Sequence, residues 1–447
     1  MNTRQTLQLL RAYESRNVTF IEADGSWPIV WQRAKGTYVW DAEGRRYLDL
    51  TAAFGVAAAG HSNPRVVKAG QQQMAKLLHA MGDVHPHALK AQLARELSRL
   101  TFKRWPGKAR GQGPSSKVKG RREQGPAGKT IFCNSGSEAV EAALKTALLA
   151  TGKPGVIAFE GAYHGLGYGA LNTTHRAHFR SPFRYQLGEF GHFVPFPKVG
   201  QDAPLAETET RMRRLFRRER IGAVLVEPIQ ARGGINLPPP GFLPLLRRLC
   251  DEHHALLVLD EIYTGFGRTG RWFACEHSGT VPDVICLGKA LTGGFPLSAC
   301  VGRADLMDAA WPASSGEAIH TSTFLGHPVG CAMALAQIME IKARNLVPRS
   351  AELGKLLLAS LSSLVPPQSF TLVPRGLGLL VGLEVSRPDG APATDAALKL
   401  VKAMLRRGFI LLPEGERSNV IGFTPPLTIL PSQLRAAVKA LQELLSR

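Results

Sequence analysis

The chain has 447 residues, a formal net charge of +20 and six cysteines. At that length it can bury more than one large core, so two or three domains are expected, and its apolar content is ordinary for a globular protein. No apolar run approaches the roughly 20 residues that span a bilayer, residues 1–20 lack the apolar core of a secretory signal, and the cysteines show neither Cys-x-x-Cys spacing nor histidines at metal-ligand spacing, so a soluble cytoplasmic chain without disulfide framework or zinc site is expected.

In chain order, Tyr38-Val39-Trp40 and Tyr47-Leu48-Asp49 give the first strand signals. Residues 103–129 read KRWPGKARGQGPSSKVKGRREQGPAGK, nine basic side chains against Glu123 alone in a Gly/Pro/Ser-rich setting, the composition of a mobile surface loop. Short β-branched runs then alternate with helical ones, with candidate strands at 130–133, 156–159, 223–226, 255–259, 284–287 and 298–301. Arg211, Arg213, Arg214, Arg217, Arg218 and Arg220 fall on one predicted helix and mostly face water. The positive charge implies only salt-sensitive, unspecific attraction to anionic surfaces, since no nucleic-acid recognition motif accompanies it. Beyond Pro328 the pattern predicts a helix over 328–343, another from 351, a strand over 378–384, and helices from 394 and 431.

Continuous apolar strands separated by helices indicate an α/β domain whose parallel sheet is covered on both faces, with ligands beyond the carboxyl ends of the strands. The expected division is 1–60 as the N-terminal part of a small α+β domain, 61–327 as the large domain, and 328–447 as the C-terminal part of the small one.

Four features sit at those strand ends. Asn134-Ser135-Gly136-Ser137-Glu138 opens a helix, where free N–H groups and the helix dipole make a phosphate cradle; a plain capping box has the same spacing. Tyr163-His164-Gly165 offers an aromatic that stacks on a flat heterocycle and a hydrogen-bonding imidazole, or merely a core contact. Asp260-Glu261 ends an apolar strand, where a buried carboxylate needs a partner, either a cationic ring nitrogen or a metal ion, and Glu227 ends its strand in the same way. Lys289 lies between an apolar run and Gly293-Gly294, where burial frees its amine to condense with an aldehyde, although a lone lysine is ordinarily a solvated charge. Pyridoxal 5'-phosphate requires all four.

With these motifs the chain resembles the class III aminotransferases, the fold-type I pyridoxal-phosphate enzymes that include 4-aminobutyrate, ornithine and acetylornithine aminotransferases. The resemblance implies a large, mostly parallel-sheet domain with a smaller α+β domain built from both termini. It implies that Ser135, Gly136 and Ser137 bind the phosphate, that Tyr163 stacks on the ring with His164 and Glu227 nearby, and that Asp260 pairs with the ring nitrogen. Ile262 would pack on the opposite face, Tyr263 would stand in for a glutamine near the ring hydroxyl, and Lys289 would bond the aldehyde. Residues 320–328 match a segment whose threonine, here Thr323, reaches the neighbouring subunit's phosphate, which implies a homodimer with shared sites.

Departures from the family occur where substrate is read. Leu166 and Gly422 stand where relatives carry carboxylate-binding arginines, and Arg232 stands where ornithine-type relatives carry a shielding glutamate. Phe54 and Arg232 are the expected substrate contacts. Arg232 either supplies a carboxylate contact from the opposite wall or is structural. The resemblance implies a ping-pong exchange between an amine or ω-amino acid and a 2-oxo acid, with an amino-acid racemase, epimerase or aminomutase as the alternative on the same scaffold.

Overall fold

The computed structural model describes residues 1–105, 127–199 and 205–446, so most of the basic 103–129 segment lies outside the described residues. Three sheets organise the chain. Strands β1 (Trp31–Lys35), β2 (Tyr38–Asp41) and β3 (Arg46–Asp49) begin the first. The central sheet contains β4 (Gly128–Cys133), β5 (Gly155–Phe159), β6 (Gly191–Val194), β7 (Ile221–Val226), β8 (Leu256–Asp260), β9 (Val284–Leu287) and β10 (Ser298–Arg303), in the order β4-β10-β9-β8-β7-β5-β6. A third sheet holds β11 (Thr371–Leu377) and β12 (Leu380–Ser386); β13 (Phe409–Ile410) crosses to pair with β3, and β14 (Leu412–Glu414) and β15 (Val420–Phe423) complete the third as β11-β12-β15-β14.

The central sheet is parallel except for β10, which runs antiparallel to both β4 and β9. The reason is connection length. Parallel neighbours need a crossover of a dozen or more residues, whereas only residues 288–297 separate β9 from β10, and Gly293 and Gly294 reverse the chain at positive φ. Every residue of β7 is buried, as a strand covered on both faces must be. The Gly136–Thr151 helix lays Ala139, Val140, Ala143 and Ala147 on one face, against Val156, Ala223, Leu225 and Val258. The alternate residues Ile157, Val224, Val226, Leu257 and Leu259 fill the large core on the other face. Each such side chain, fully buried, contributes roughly 1.5–3 kcal/mol.

The C-terminal helices begin where expected at Pro328, Thr394 and Pro431, the first and last with proline in their first turn. The helix expected from 351 instead starts at Leu346, and the strand expected over 378–384 starts at Leu380 because Gly378, at φ +54, makes the turn from β11. On the Leu205–Arg218 helix, Arg211 and Arg213 pair with Glu207 and Glu209 one turn back, so part of its charge is matched locally rather than left to solvent. All six cysteines are free and buried. Among the described residues no helix is long and apolar enough to cross a membrane.

Candidate active site

A cavity of about 590 Å3 opens where the loops after β4, β5, β7, β8 and β9 meet. Ser135, Gly136, Ser137, Tyr163, His164, Glu227, Asp260, Ile262, Tyr263 and Lys289 all line it, as do Phe54 and Arg232. Thr323 does not: it lies in an exposed stretch whose neighbour Ser322 accepts a 3.5 Å hydrogen bond from Asn134 Nδ2.

At one end of the cavity, Ser135 caps the Gly136–Thr151 helix by accepting from the N–H of Glu138 at 3.3 Å, while Glu138 reaches back to the N–H of Asn134 at 2.9 Å. The cap engages the Glu138 N–H and leaves the first-turn N–H groups of Gly136 and Ser137 with no acceptor inside the helix. The loop after β5 closes on this turn: Gly167 N–H donates to Ser137 Oγ at 3.0 Å, and a Cβ at Gly165 would come within 2.6 Å of Ser137. A Cβ at Gly136 would lie 2.9 Å from Ile262 Cδ1, so the turn tolerates no side chain facing Ile262 without a shift.

At the other end, Asp260 is 5% exposed, 2.8 Å from His164 Nδ1, and accepts from the Ile262 N–H at 3.1 Å. His164 Nε2 is buried without a partner. The paired acids at the end of β8 have separate tasks. Glu261 points away from the cavity and accepts from Thr264 Oγ1 and from the N–H groups of Ala274 and Cys275, which pins the following loop. Glu227 accepts from the Tyr163 N–H at 3.1 Å and the Ala231 N–H at 3.0 Å, and burial, reinforced by Asp260, pushes its carboxyl up to about 7.

Lys289 sits directly after the turn that ends β9, at φ +39, a left-handed conformation that costs a non-glycine residue of order 1–3 kcal/mol. Its Nζ lies 4.6 Å from the centre of the Tyr263 ring. Burial holds the amine below its ordinary range, while Asp260, Glu227 and Glu414 pull the other way. Tyr263 OH is 3.2 Å from Thr424 Oγ1, and its ring lies 3.0 Å from where a Cβ of Gly55 would stand.

Sequence reasoning missed Glu414. It is buried, lines the cavity at the end of β14, and accepts from Arg232 Nη1 at 3.2 Å. Burial pushes its carboxyl up to about 7, with Arg232 opposing. The glycine at 422 was the available signal: a Cβ there would lie 3.0 Å from Glu414 Cγ, so the residue that replaces an arginine also makes room for this acid. Leu166, 49% exposed, forms an apolar edge of the cavity.

A sequence description of the aminotransferase class-III family matches residues 20–445. The chain is 35% identical over 419 residues to an acetylornithine aminotransferase from Methanosarcina mazei, covering 94% of this chain and 92% of that one. It is 36% identical over 425 residues to a 5-aminovalerate aminotransferase from Pseudomonas aeruginosa, covering 93% of each. Among solved structures, a PLP-bound amine transaminase from an uncultivated Pseudomonas species superposes with a TM-score of 0.83 at 27% identity, covering 97% of this chain and 98% of that one.

Proposed function

The chain belongs to the class-III aminotransferases, and from that premise we propose which of its residues hold the cofactor and substrates and how they act. It is a pyridoxal-phosphate-dependent aminotransferase that moves an amino group to a 2-oxo acid. Its donor is an amine or an ω-amino acid, in keeping with an apolar edge at Leu166 and Phe54. The buried free cysteines suit a reducing, cytoplasmic compartment.

One observation carries the residue assignment: Lys289 and Asp260, at the ends of adjacent strands β9 and β8, face one cavity that the start of the Gly136–Thr151 helix also lines. The donor set fits the cofactor. Gly136 and Ser137 offer N–H groups to its phosphate, and Asp260 offers a carboxylate to its ring nitrogen.

Pyridoxal phosphate supplies an aldehyde that captures the donor's amino group and a ring that spreads the charge left at Cα. Everything else is asked of the chain. Asp260, oriented by His164 and the Ile262 N–H, keeps a proton on the ring nitrogen. Tyr163 and Ile262 confine the ring from its two faces. Lys289 Nζ, its amine freed by burial, takes the proton from the donor's Cα. Arg232 receives the carboxylate of the 2-oxo acid with its planar fork.

The working unit is a homodimer. Leu78, Met81, Val84 and Phe324 are exposed apolar side chains around Thr323, with His79 packed on Phe324 at 5.4 Å between ring centres. They form a surface suited to a second copy, through which Thr323 of the partner subunit completes the phosphate end.

Adding an amino donor without any oxo acid tests the reaction. The cofactor should convert lastingly to its amine form and recover on adding pyruvate. Lys289→Ala should abolish multiple turnover while the protein still folds and retains cofactor non-covalently; full turnover in that variant sinks the assignment.

A further inference from the structure

We propose that the Arg232–Glu414 pair is a proton-linked switch: when a substrate carboxylate draws Arg232 away, Glu414 takes one proton from solvent, so an ionic wall becomes a neutral one. This deepens the reading of Arg232 as the carboxylate contact and rests on it.

The two partners are unequally free to move. The Arg232 side chain is 39% exposed and that of Glu414 only 7%. Glu414 ends a strand locked antiparallel to β15, its stem packs where Gly422 leaves space, and the next N–H, that of Gly415, donates to the carbonyl of Arg232 at 3.1 Å. The arginine can turn toward a ligand, and the glutamate cannot follow. Among the described residues Arg232 is also the only hydrogen-bond donor to the Glu414 carboxylate.

A buried carboxylate deprived of its counter-ion faces a large desolvation cost, and protonation is the least costly way to remove it. Burial already pushes Glu414 up to about 7 while Arg232 is in place, so departure of the arginine raises it further. The other groups that face Glu414 do not replace the lost partner. Lys289 is committed to the cofactor. Arg176 is held by the Glu416 carbonyl at 3.3 Å and by the Phe179 ring, 5.5 Å away, and the Tyr263 hydroxyl is engaged with Thr424. Strand β15 carries no ionisable side chain, and the Thr394–Arg406 helix buries only Ala397, Val401, Met404 and Leu405.

The consequence separates the two half-reactions. A donor lacking a carboxylate leaves the pair closed and binds without proton uptake. A carboxylate substrate binds more weakly as pH rises above the point where Glu414 ionises, approaching tenfold per pH unit.

Calorimetry on the aldehyde-form holoenzyme, titrated with pyruvate at about pH 8 in two buffers of different ionisation enthalpy, reads the linkage directly. No amino group is present, so only binding contributes. We expect uptake of about one proton per site in the wild type. Glu414→Gln should bind pyruvate without uptake and with a pH-independent Kd. Absence of uptake in the wild type, a measurement that needs no variant to fold, overturns the switch, as does undiminished uptake in Glu414→Gln. Arg232→Ala separates the two levels. Pyruvate binding as tight as in the wild type, or no binding in the wild type at all, defeats the carboxylate reading, whereas weakened binding without wild-type uptake defeats the switch alone.

Discussion

Three buried carboxylates surround one lysine, and their environments assign them different work. Asp260 is held by His164, Glu227 by two backbone N–H groups, and Glu414 by a single movable arginine. Glu227 carries a pH consequence that needs no cofactor. Its folded carboxyl is raised by burial from an ordinary value near 4.5 to about 7, so its contribution to stability is fully present below the ordinary value and is lost as pH rises through about 7. In the apo-protein, the melting temperature of the wild type relative to Glu227→Gln should therefore fall as pH rises from about 5 to about 8. A difference that stays constant across that range would show that Glu227 does not titrate there.

At the scale of elements, the site is an assembly of turns that follow strands, and their glycines are required by contact rather than by flexibility alone. Gly165, at φ +116, lies so close to Ser137 that a Cβ would stand 2.6 Å from its side chain and 2.9 Å from its Cα. Gly165→Ala should push the Tyr163 loop off the helix start, costing roughly 1–3 kcal/mol. Cofactor affinity, read by the concentration needed to restore absorbance to apo-protein, should fall at least about tenfold. Unchanged affinity would mean that the two turns do not share the phosphate.

Some of these elements were legible in the sequence and others were not. The strands at 156–159 and 284–287 are continuous apolar runs, and Asn134-Ser135-Gly136-Ser137-Glu138 is both a capping and a cradle pattern, so local chemistry announced them. The antiparallel course of β10 was not announced, because an apolar strand reads the same in either direction and only the short 288–297 connection decides. Glu414 was hidden for a different reason: its partner lies 182 positions away, and Pro-Glu-Gly at the end of a short strand looks like any surface turn.

Across the whole molecule, the central and C-terminal sheets are joined by a buried arginine of the strand-end motif. Arg268 is 1% exposed, and its Nη1 donates to the carbonyls of Leu379 and Pro425 at 2.9 and 2.6 Å. These bonds tie the loop after β8 to the β11–β12 turn and to the segment after β15, a structural rather than a chemical task. Arg268→Ala leaves two buried carbonyls without a donor and should destabilise the fold by roughly 2–4 kcal/mol, measurable by denaturant unfolding. A loss below about 0.5 kcal/mol, the range of ordinary surface substitutions, would contradict that task.

The identity of the lysine that carries the cofactor decides every other role in the site. Borohydride reduction of the holoenzyme followed by peptide mapping tests it most directly: the reduced cofactor should be found on Lys289, in the peptide that follows β9. Recovery of the label on any other lysine, with Lys289 unmodified, would contradict the assignment.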